Sequence, residues 1–487
     1  MWKRIRNRKS IVLAIALAVF SALIIVMIYP GAPRVRSFSW ADRSIHADDR
    51  QFSLMFSHTV DHDSIVANLQ IDPALPGQIT WDDRTLIYTL DHPAPYGFDF
   101  RLSLSGGHLA KSTQTKIEPF QATFKSADRA IAYIGTEAEE RGRLVMYNFT
   151  QDTTTVLTPP DLSVMDYQPY FGSDKLLFSA LDRTAKDQRL LDVQLYSVTT
   201  GLHGEPPGRL TKILDDSHYQ TLQFALASQA ETIVVQRADR QNPGANFGLW
   251  LIRSGETLPI QAEPGGLFTL TPDGSAIALS QRDGIAILSL DPLTEPAQLI
   301  VFFPEFGRAL DLSNDGQKLA LLKFNPNYTQ SIFLSVNQDV PQELLTLTGT
   351  VLDAQFDPNG QMLYALLLDE LDTETYQAQP QIVAIDLQDL TVRELARLET
   401  DQRDLQFNLS PDGQAIIFDQ LITESPQDQA IDTPRTSSGE VIVGGDLRVI
   451  VPLINLEPTA DQPPEAQTLQ PTIEPLGLAG IRPHWLP

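Results

Sequence analysis

The sequence predicts an all-β protein in which an Ig-like β-sandwich is followed by a seven-bladed β-propeller and preceded by one N-terminal transmembrane helix. Three observations favour this architecture: an apolar run near the N-terminus, period-two alternation after it, and a repeat in the remaining chain. The predicted boundaries are residues 1–30 for a cytoplasmic basic tail and membrane anchor, 34–125 for the sandwich and 126–487 for the propeller.

The apolar run Ile11–Tyr29 is close to the ~20 residues that a membrane-spanning helix needs. Five basic residues precede it and are expected to stay in the cytoplasm, which puts the bulk of the chain in the periplasm: Lys3, Arg4, Arg6, Arg8 and Lys9. A cleaved signal peptide is the alternative. The run is longer than a normal signal core, however, and YPGAPRV offers no good cleavage site. We therefore expect a single-pass protein of the inner membrane.

Composition excludes several classes of function. The 487-residue chain has a formal net charge of −25, and without the five basic residues at its start the remainder carries −25 − 5 = −30. A surface this acidic repels phosphate backbones, which argues against nucleic-acid binding. The chain has no cysteine, so disulfides, thiolate metal sites and cysteine catalysis are excluded.

Residues 34–125 alternate between apolar and polar side chains in short stretches separated by turn signals. Clear examples are Gln51–Phe56, Gly77–Trp81 and Thr85–Thr89, with a tight turn at Asp82 and Asp83. Short, evenly spaced strands over about ninety residues are typical of a β-sandwich. The segments VRSFSWADRSIHADDRQFSLMFSHTVDHDSI and LQIDPALPGQITWDDRTLIYTL also resemble bacterial Ig-like domains of cell-envelope proteins, and this resemblance implies a spacer module.

One cluster in this region invites a metal interpretation: His58, Asp61, His62 and Asp63. Histidines at positions i and i+4 share a face only on a helix. The context here is the end of a strand followed by a loop. We therefore interpret the cluster as a polar loop and expect no metal there.

The rest of the chain repeats one hairpin unit. Its glycines Gly274, Gly316, Gly360 and Gly413 are 42, 44 and 53 residues apart, which is the period of a propeller blade. Asp-Gly and Asn-Gly supply the positive φ angles of a tight turn between two apolar strands. Seven hairpins can be counted, opening near Ala130, Lys175, Thr232, Ala276, Lys318, Met362 and Ala415.

The first hairpin lacks an inner strand upstream, because Pro119–Phe124 is better used as the last sandwich strand. The C-terminal segment Ile481–Pro487 has the pattern of an inner strand without its turn. We expect it to pair beside Ala130–Ile134 and close the ring, covering an exposed edge. If the first hairpin instead belongs with the sandwich, the propeller has six blades.

The repeat is similar to TolB-type and WD-like propellers of bacterial envelopes, and to the propeller of prolyl-oligopeptidase-like proteins. The resemblance implies the fold and suggests protein partners in the envelope. Two polar, proline-rich stretches, Glu424–Gly439 and Glu457–Pro475, lack strand patterning and are interpreted as loops from the last blade.

No motif marks a catalytic, cofactor-binding or metal-ligating residue, and binding residues cannot be assigned. The sequence lacks a Gly-x-Ser-x-Gly elbow and a phosphate-binding loop. His203, His218 and His484 are interpreted as loop or packing residues. Asp273, Asp315 and Asp412 could bind calcium, but hairpin turns explain them fully. We therefore expect a chain that is not an enzyme and has no cofactor.

Two functional hypotheses follow. The first is a membrane-anchored scaffold whose propeller face binds envelope proteins. The alternative is a carbohydrate-binding protein or carboxylate-dependent hydrolase acting at the mouth of the propeller channel. A channel lined by small and apolar residues would favour the scaffold, whereas Asp, Glu and aromatic side chains would favour the alternative. The sequence indicates no oligomeric state.

Overall fold

The computed structural model describes residues 33–110, 112–184, 193–202, 204–214, 218–242, 247–263, 265–291, 297–371, 377–398, 402–424, 435–436, 439–451 and 471–486. The predicted transmembrane segment Ile11–Tyr29 lies outside these residues, and within them no helix has the length and apolarity to cross a membrane. The chain divides into two compact units, Met1–Ala127 and Asp128–Pro487. The predicted all-β class is confirmed, since nearly every regular element in the described residues is a strand.

The first unit contains two four-stranded sheets around a shared apolar core. Its elements are β1 (Val35–Phe38), β2 (Ser44–Ile45), β3 (Gln51–Phe56), α1 (His62–Val66), β4 (Leu69–Asp72), β5 (Gly77–Asp82), β6 (Thr85–Leu90), β7 (Asp99–Leu104), β8 (His108–Leu109), β9 (Ser112–Lys116) and β10 (Phe120–Ser126). The sheet orders are β1-β3-β6-β5 and β2-β10-β7-β4, and β8 pairs with β9.

Alternation explains how these sheets pack. In β3, Phe52, Leu54 and Phe56 are buried while the residues between them face outward. Trp40 lies against Phe52 and Phe124, with ring centroids 5.1 and 5.3 Å apart, and so joins strands of both sheets. Aromatic side chains bury large areas, so this cluster contributes much of the unit's stability.

The second unit is a succession of small antiparallel sheets. Its strands are β11 (Ala130–Gly135), β12 (Leu144–Asn148), β13 (Thr153–Val156), β14 (Leu162–Pro169), β15 (Lys175–Asp182), β16 (Gln194–Thr199), β17 (Leu210–Lys212), β18 (Tyr219–Leu226), β19 (Ile233–Asp239), β20 (Phe247–Arg253), β21 (Glu256–Ile260), β22 (Phe268–Leu270), β23 (Ala276–Gln281), β24 (Gly284–Ser289), β25 (Leu299–Pro304), β26 (Arg308–Leu312), β27 (Lys318–Phe324), β28 (Gln330–Val336), β29 (Gln342–Leu347), β30 (Thr350–Phe356), β31 (Met362–Leu371), β32 (Gln377–Asp386), β33 (Val392–Arg397), β34 (Phe407–Leu409), β35 (Ile416–Glu424), β36 (Val441–Val451) and β37 (Thr472–Trp485). A 3₁₀ turn spans Ala138–Glu140.

Among the described strands of this unit, five sheets have four strands each, in chain order from β14, β18, β22, β26 and β30. A seven-stranded sheet has the order β13-β12-β11-β37-β36-β35-β34. The first strands of the four-stranded sheets contact one another in the order β14, β18, β22, β26 and β30. The series continues into the seven-stranded sheet, where β30 contacts β34 and β34 contacts β37. These seven strands are called the inner strands. The arrangement is propeller-like.

The hairpin turns have the geometry that the repeat predicts. Gly274, Gly316, Gly360 and Gly413 have φ values of 68°, 68°, 65° and 71°. This left-handed conformation favours glycine, because a side chain there would crowd the backbone.

β37 closes the circle of inner strands. Its first half pairs with β36 and its second half with β11, where Ile131 lies opposite Trp485 and Ile134 opposite Ile481. This is the pairing expected from the sequence for Ile481–Pro487. The Tyr167 hydroxyl of β14 shares its one proton between the carbonyls of Ala132 and Arg482, at 2.6 and 2.7 Å. This contact ties the first inner strand to the last.

The loop expected over Glu457–Pro475 needs a correction. β37 begins at Thr472, so the last residues of that stretch are in a strand. From the sequence, the stretch is interpreted as a loop because it is rich in proline. Proline is tolerated in a strand, however, at positions where no N–H is needed for pairing. Most of both predicted loops lies outside the described residues, and Glu424 is the last residue of β35.

Deleting Ile481–Pro487 should lower the thermal midpoint of the second unit sharply, because β11 keeps β12 but loses β37 and exposes an open edge. The single change Trp485→Ala should cost about 3–5 kcal/mol, since this buried ring packs on Phe149 and beneath Arg129. Calorimetry of the full chain measures both effects. Tyr328→Ala is the control, because Tyr328 is 93% exposed. Equal midpoints for Trp485→Ala and this control would contradict the role of β37.

Candidate functional site

A polar cavity of about 470 Å³ opens among the inner strands of the second unit. We call it the ring cavity, because β14, β26, β30, β34 and β37 all contribute to its wall. Four aspartates line it, namely Asp166, Asp353, Asp404 and Asp419. Four arginines line it as well, namely Arg308, Arg403, Arg435 and Arg482. Tyr167, Phe407 and His484 also border the cavity, although the Tyr167 and Phe407 side chains are buried.

β-Bulges position several of these polar side chains. The register shifts between Val164 and Asp166 in β14, and between Val351 and Asp353 in β30. Equivalent shifts precede Gln223 in β18 and Asp311 in β26. A bulge inserts one residue and redirects the next side chain, which is why bulges are frequent beside functional sites.

Arg482 is held in an unusual backbone conformation at the bulge in β37. Its φ is 53°, which costs a non-glycine residue roughly 1 kcal/mol. Three contacts offset this cost. Its backbone N–H donates to Asp419 at 2.8 Å, its carbonyl accepts from Tyr167 at 2.7 Å, and its guanidinium donates to Asp166 at 2.8 Å.

Asp419 is a buried carboxylate at the base of this arrangement. It is 1% exposed and accepts backbone N–H groups from Gln406 at 2.7 Å and from Arg482 at 2.8 Å. Burial raises the pKa of Asp419 to about 6, although both N–H donors favour the ionised form. The carboxyl group therefore exchanges its proton in the range that acid–base chemistry uses.

Asp353 and Asp311 lie on neighbouring inner strands. Asp353 contacts Arg308 at 3.5 Å, and Asp311 accepts the N–H of Phe356 at 2.8 Å. The Asp353 side chain keeps 34% of its surface accessible, and Asp353 lines the ring cavity. Burial raises the pKa of Asp353 to about 6 and that of Asp311 to about 7, and the charge of Asp353 adds to the second shift.

His484 takes part in a polar network across three inner strands. Its Nδ1 lies 2.8 Å from the Trp485 carbonyl, which can only accept, so this nitrogen carries the proton. Asn408 Nδ2 lies 3.5 Å from His484 Nε2, and Asn408 Oδ1 accepts the Trp485 N–H at 2.8 Å. Burial lowers the pKa of His484, which favours the neutral ring. Gln355 extends the network by accepting the N–H of Leu409 at 3.0 Å.

The other residues considered in the sequence have structural contacts. Asp61 caps α1 by accepting the N–H of Ser64, and His62 stacks on Trp81 at 3.9 Å. His58 Nδ1 bonds the hydroxyl of its neighbour Ser57. Within the described residues, no group of three or more His, Cys, Asp or Glu side chains is arranged to hold a metal ion.

The three aspartates considered for calcium stabilise their own turns. Asp273, Asp315 and Asp412 each accept a hydroxyl two residues before them and a backbone N–H two residues after them. His218 precedes β18 and does not line the ring cavity, whereas His203 lies outside the described residues. Of the candidates that the structure describes, His484 alone lines the cavity.

Sequence reasoning missed the charged residues of the cavity, but one signal was present. Asp311, Gln355 and Asn408 stand at the same place in three repeats, two residues before the residue that opens the turn. Each accepts a backbone N–H from the next inner strand. A polar residue repeated within an apolar strand indicates a bond between sheets.

Comparison with known proteins adds distant likenesses. No family model and no curated protein matches the chain. Among solved structures, it is similar to TolB from Acinetobacter baumannii, with 13% identity, 68% of this chain and 80% of that chain covered, and a TM-score of 0.39. It is also similar to a periplasmic gluconolactonase of Pseudomonas aeruginosa, with 15% identity, 74% and 99% covered, and a TM-score of 0.42. A third similar structure is a proposed 6-phosphogluconolactonase of Bacteroides uniformis. Its identity is 14%, 74% of this chain and 99% of that chain are covered, and the TM-score is 0.42.

These likenesses are too distant to transfer a substrate or a partner to this chain. They do correct one expectation. The prediction that the chain is not an enzyme is wrong, because three of the similar structures are described as gluconolactonases or proposed 6-phosphogluconolactonases. The missing Gly-x-Ser-x-Gly elbow and phosphate-binding loop exclude only the mechanisms that use them.

The raised pKa of Asp311 makes the second unit less stable as pH rises. The folded protein retains this proton up to about pH 7, whereas an unfolded chain releases it near pH ~4. Unfolding therefore becomes easier across that window. Asp311→Asn should raise the thermal midpoint at pH 8 by about 2–5 °C and leave it nearly unchanged at pH 4.

Calorimetry between pH 4 and 8 measures this difference. Asp283→Asn is the control, because Asp283 is exposed. Parallel pH profiles for Asp311→Asn and the original protein would contradict a raised pKa for Asp311.

Proposed function

We propose that this chain binds a carbohydrate in the ring cavity and uses carboxyl groups there for acid–base chemistry on it. The observation that carries the proposal is the pair Asp353 and Asp419. Both line one polar cavity, and burial raises the pKa of each to about 6. Carboxyl groups adjusted in this way are typical of hydrolases that act on glycosidic bonds.

The lining of the cavity supports a carbohydrate ligand. Sugar hydroxyls donate and accept hydrogen bonds, so they need both kinds of partner in one site. The aspartates accept and the arginines donate, and Gln168, Gln355, Gln406 and Asn408 do both. In the sequence analysis, acidic and aromatic side chains at the channel mouth favour the carbohydrate alternative, whereas small apolar residues favour the scaffold.

The two carboxyl groups have different surroundings, which suits them to different roles. Arg308 stabilises the ionised form of Asp353, which fits a general base or nucleophile. Asp419 is more deeply buried, and burial favours its protonated form, which fits a general acid.

The rest of the proposal concerns architecture and location. We propose that the second unit is a seven-bladed propeller and the first an Ig-like spacer. The circle of seven inner strands and the two-sheet packing support these assignments. The apolar segment Ile11–Tyr29 supports a membrane anchor with the bulk of the chain in the periplasm.

The test uses the full chain in detergent and a panel of oligosaccharides that includes peptidoglycan fragments. Binding is measured by calorimetry, and cleavage by analysis of the products. One class of oligosaccharide should bind, and Asp353→Asn should weaken binding or turnover about tenfold or more. Turnover should have a pH optimum near 6, set by the carboxyl groups.

Asp283→Asn is again the matched control, because it removes the same charge from an exposed turn. Thermal midpoints of all variants separate lost binding from lost folding. If no oligosaccharide is bound, or if Asp353→Asn and Asp283→Asn behave alike, the proposal fails.

A second candidate is docking of an envelope protein. One surface favours it: the outer strand β25 exposes Leu299, Ile300 and Phe302. Adjacent exposed apolar side chains of this size often mark an interaction surface. A partner captured from solubilised envelope and lost with Phe302→Ser would support docking. A partner retained equally by Phe302→Ser would count against this surface.

A further inference from the structure

A second, smaller cavity lies against the ring cavity, and its described charged lining is arginine, whereas aspartates and arginines together line the ring cavity. Its volume is about 260 Å³, and it is bounded by β11, β14, β36 and β37. Four arginines line it, Arg141, Arg183, Arg435 and Arg482, so we call it the arginine pocket. None of the described residues that line it is acidic. This concentration of positive charge is found in a chain with 61 acidic and 36 basic residues.

The backbone holds one guanidinium group in place at the wall. Arg183 donates to the carbonyls of Arg141 at 2.6 Å and Pro160 at 3.4 Å. Gly142 lies beneath it with a φ of 70°, and a Cβ at that position would collide with the guanidinium. The close approach of Arg183 to the chain therefore requires glycine at 142.

Donor capacity remains available at the pocket. Each guanidinium has five N–H donors. Within the described part of the chain, the Arg141 side chain makes no hydrogen bond or ion pair. Arg435 donates to the Gly439 carbonyl at 3.2 Å, and Arg482 donates to Asp166 at 2.8 Å. Planar guanidinium groups bind carboxylate and phosphate oxygens in pairs.

A buried hydroxyl group points to a ligand independently of the arginines. Thr136 lines the pocket and is 7% exposed, yet its Oγ1 has no hydrogen-bond partner among the residues that the structure describes. A buried hydroxyl without a partner costs about 1–3 kcal/mol, so such groups are normally satisfied. An oxyanion seated among the arginines would accept its proton.

We propose that the arginine pocket binds the oxyanion group, phosphate or carboxylate, of a small molecule. The proposal goes beyond carbohydrate binding in the ring cavity and does not depend on it. The two cavities share Arg435, Ile442, Ile481 and Arg482 as a common wall. A ligand in one cavity therefore lies close to the other.

The experiment titrates the full chain with inorganic phosphate and, separately, with acetate, against sodium chloride of equal ionic strength. Calorimetry gives the affinities, and ligand-induced shifts of the thermal midpoint confirm them. Binding of phosphate alone, acetate alone or both supports the proposal and identifies the preferred oxyanion. Binding of neither above the chloride control overturns it.

Two variants locate the site. Arg141→Gln should weaken binding of the preferred oxyanion about tenfold, because it removes a charged donor to that oxyanion. Thr136→Val keeps the shape of the side chain and should weaken it about threefold or more. Arg209→Gln is the matched control, because Arg209 is exposed on the same unit and its ion pair with Glu205, at 3.8 Å, lies between exposed side chains. Equal affinities for Arg141→Gln and Arg209→Gln would overturn the assignment to this pocket. Oligosaccharide binding is measured separately, so its failure and the failure of this site are distinguishable.

Discussion

The closure of the second unit by β37 is the constraint on which its other features depend. One strand completes the last sheet with its first half and pairs with β11 through its second half. At the crossing point, Arg482 adopts a left-handed backbone that Asp419 and Tyr167 stabilise from two sides. Strain of this kind persists only where the surroundings determine the conformation fully. The same contacts bring Asp166 and Asp419, far apart in sequence, to one cavity.

Neighbouring inner strands are joined by hydrogen bonds from polar side chains, where a continuous sheet would use backbone hydrogen bonds. Asp311, Gln355 and Asn408 each bond the backbone of the next inner strand, and apolar clusters fill the space between neighbouring sheets. A buried polar group requires its partner, so these bonds fix the register of one sheet against the next. Burying such a polar group costs free energy. For Asp311 this cost appears as a raised pKa, because burial makes its charged form less favourable.

The sequence predicted local features better than distant ones. Asp-Gly turns are determined by residues that are adjacent in the chain, so the hairpins at Gly274, Gly316, Gly360 and Gly413 could be located. Even the pairing of the last strand could be expected, because the first hairpin lacked a partner. The cavity could not be predicted, since Asp353 and Arg482 line one space only when the ring is closed. Bulges place them, and a bulge has no fixed sequence pattern.

The pairing of β11 with β37 also has a consequence for how the chain folds. The two strands are separated by more than three hundred residues, so their contact has one of the largest sequence separations in the protein. Contacts of this kind form slowly, because a long loop must be ordered first. The edge of β11 therefore stays open during synthesis, and until the final strand arrives this edge is the place where a chaperone or a second chain can bind.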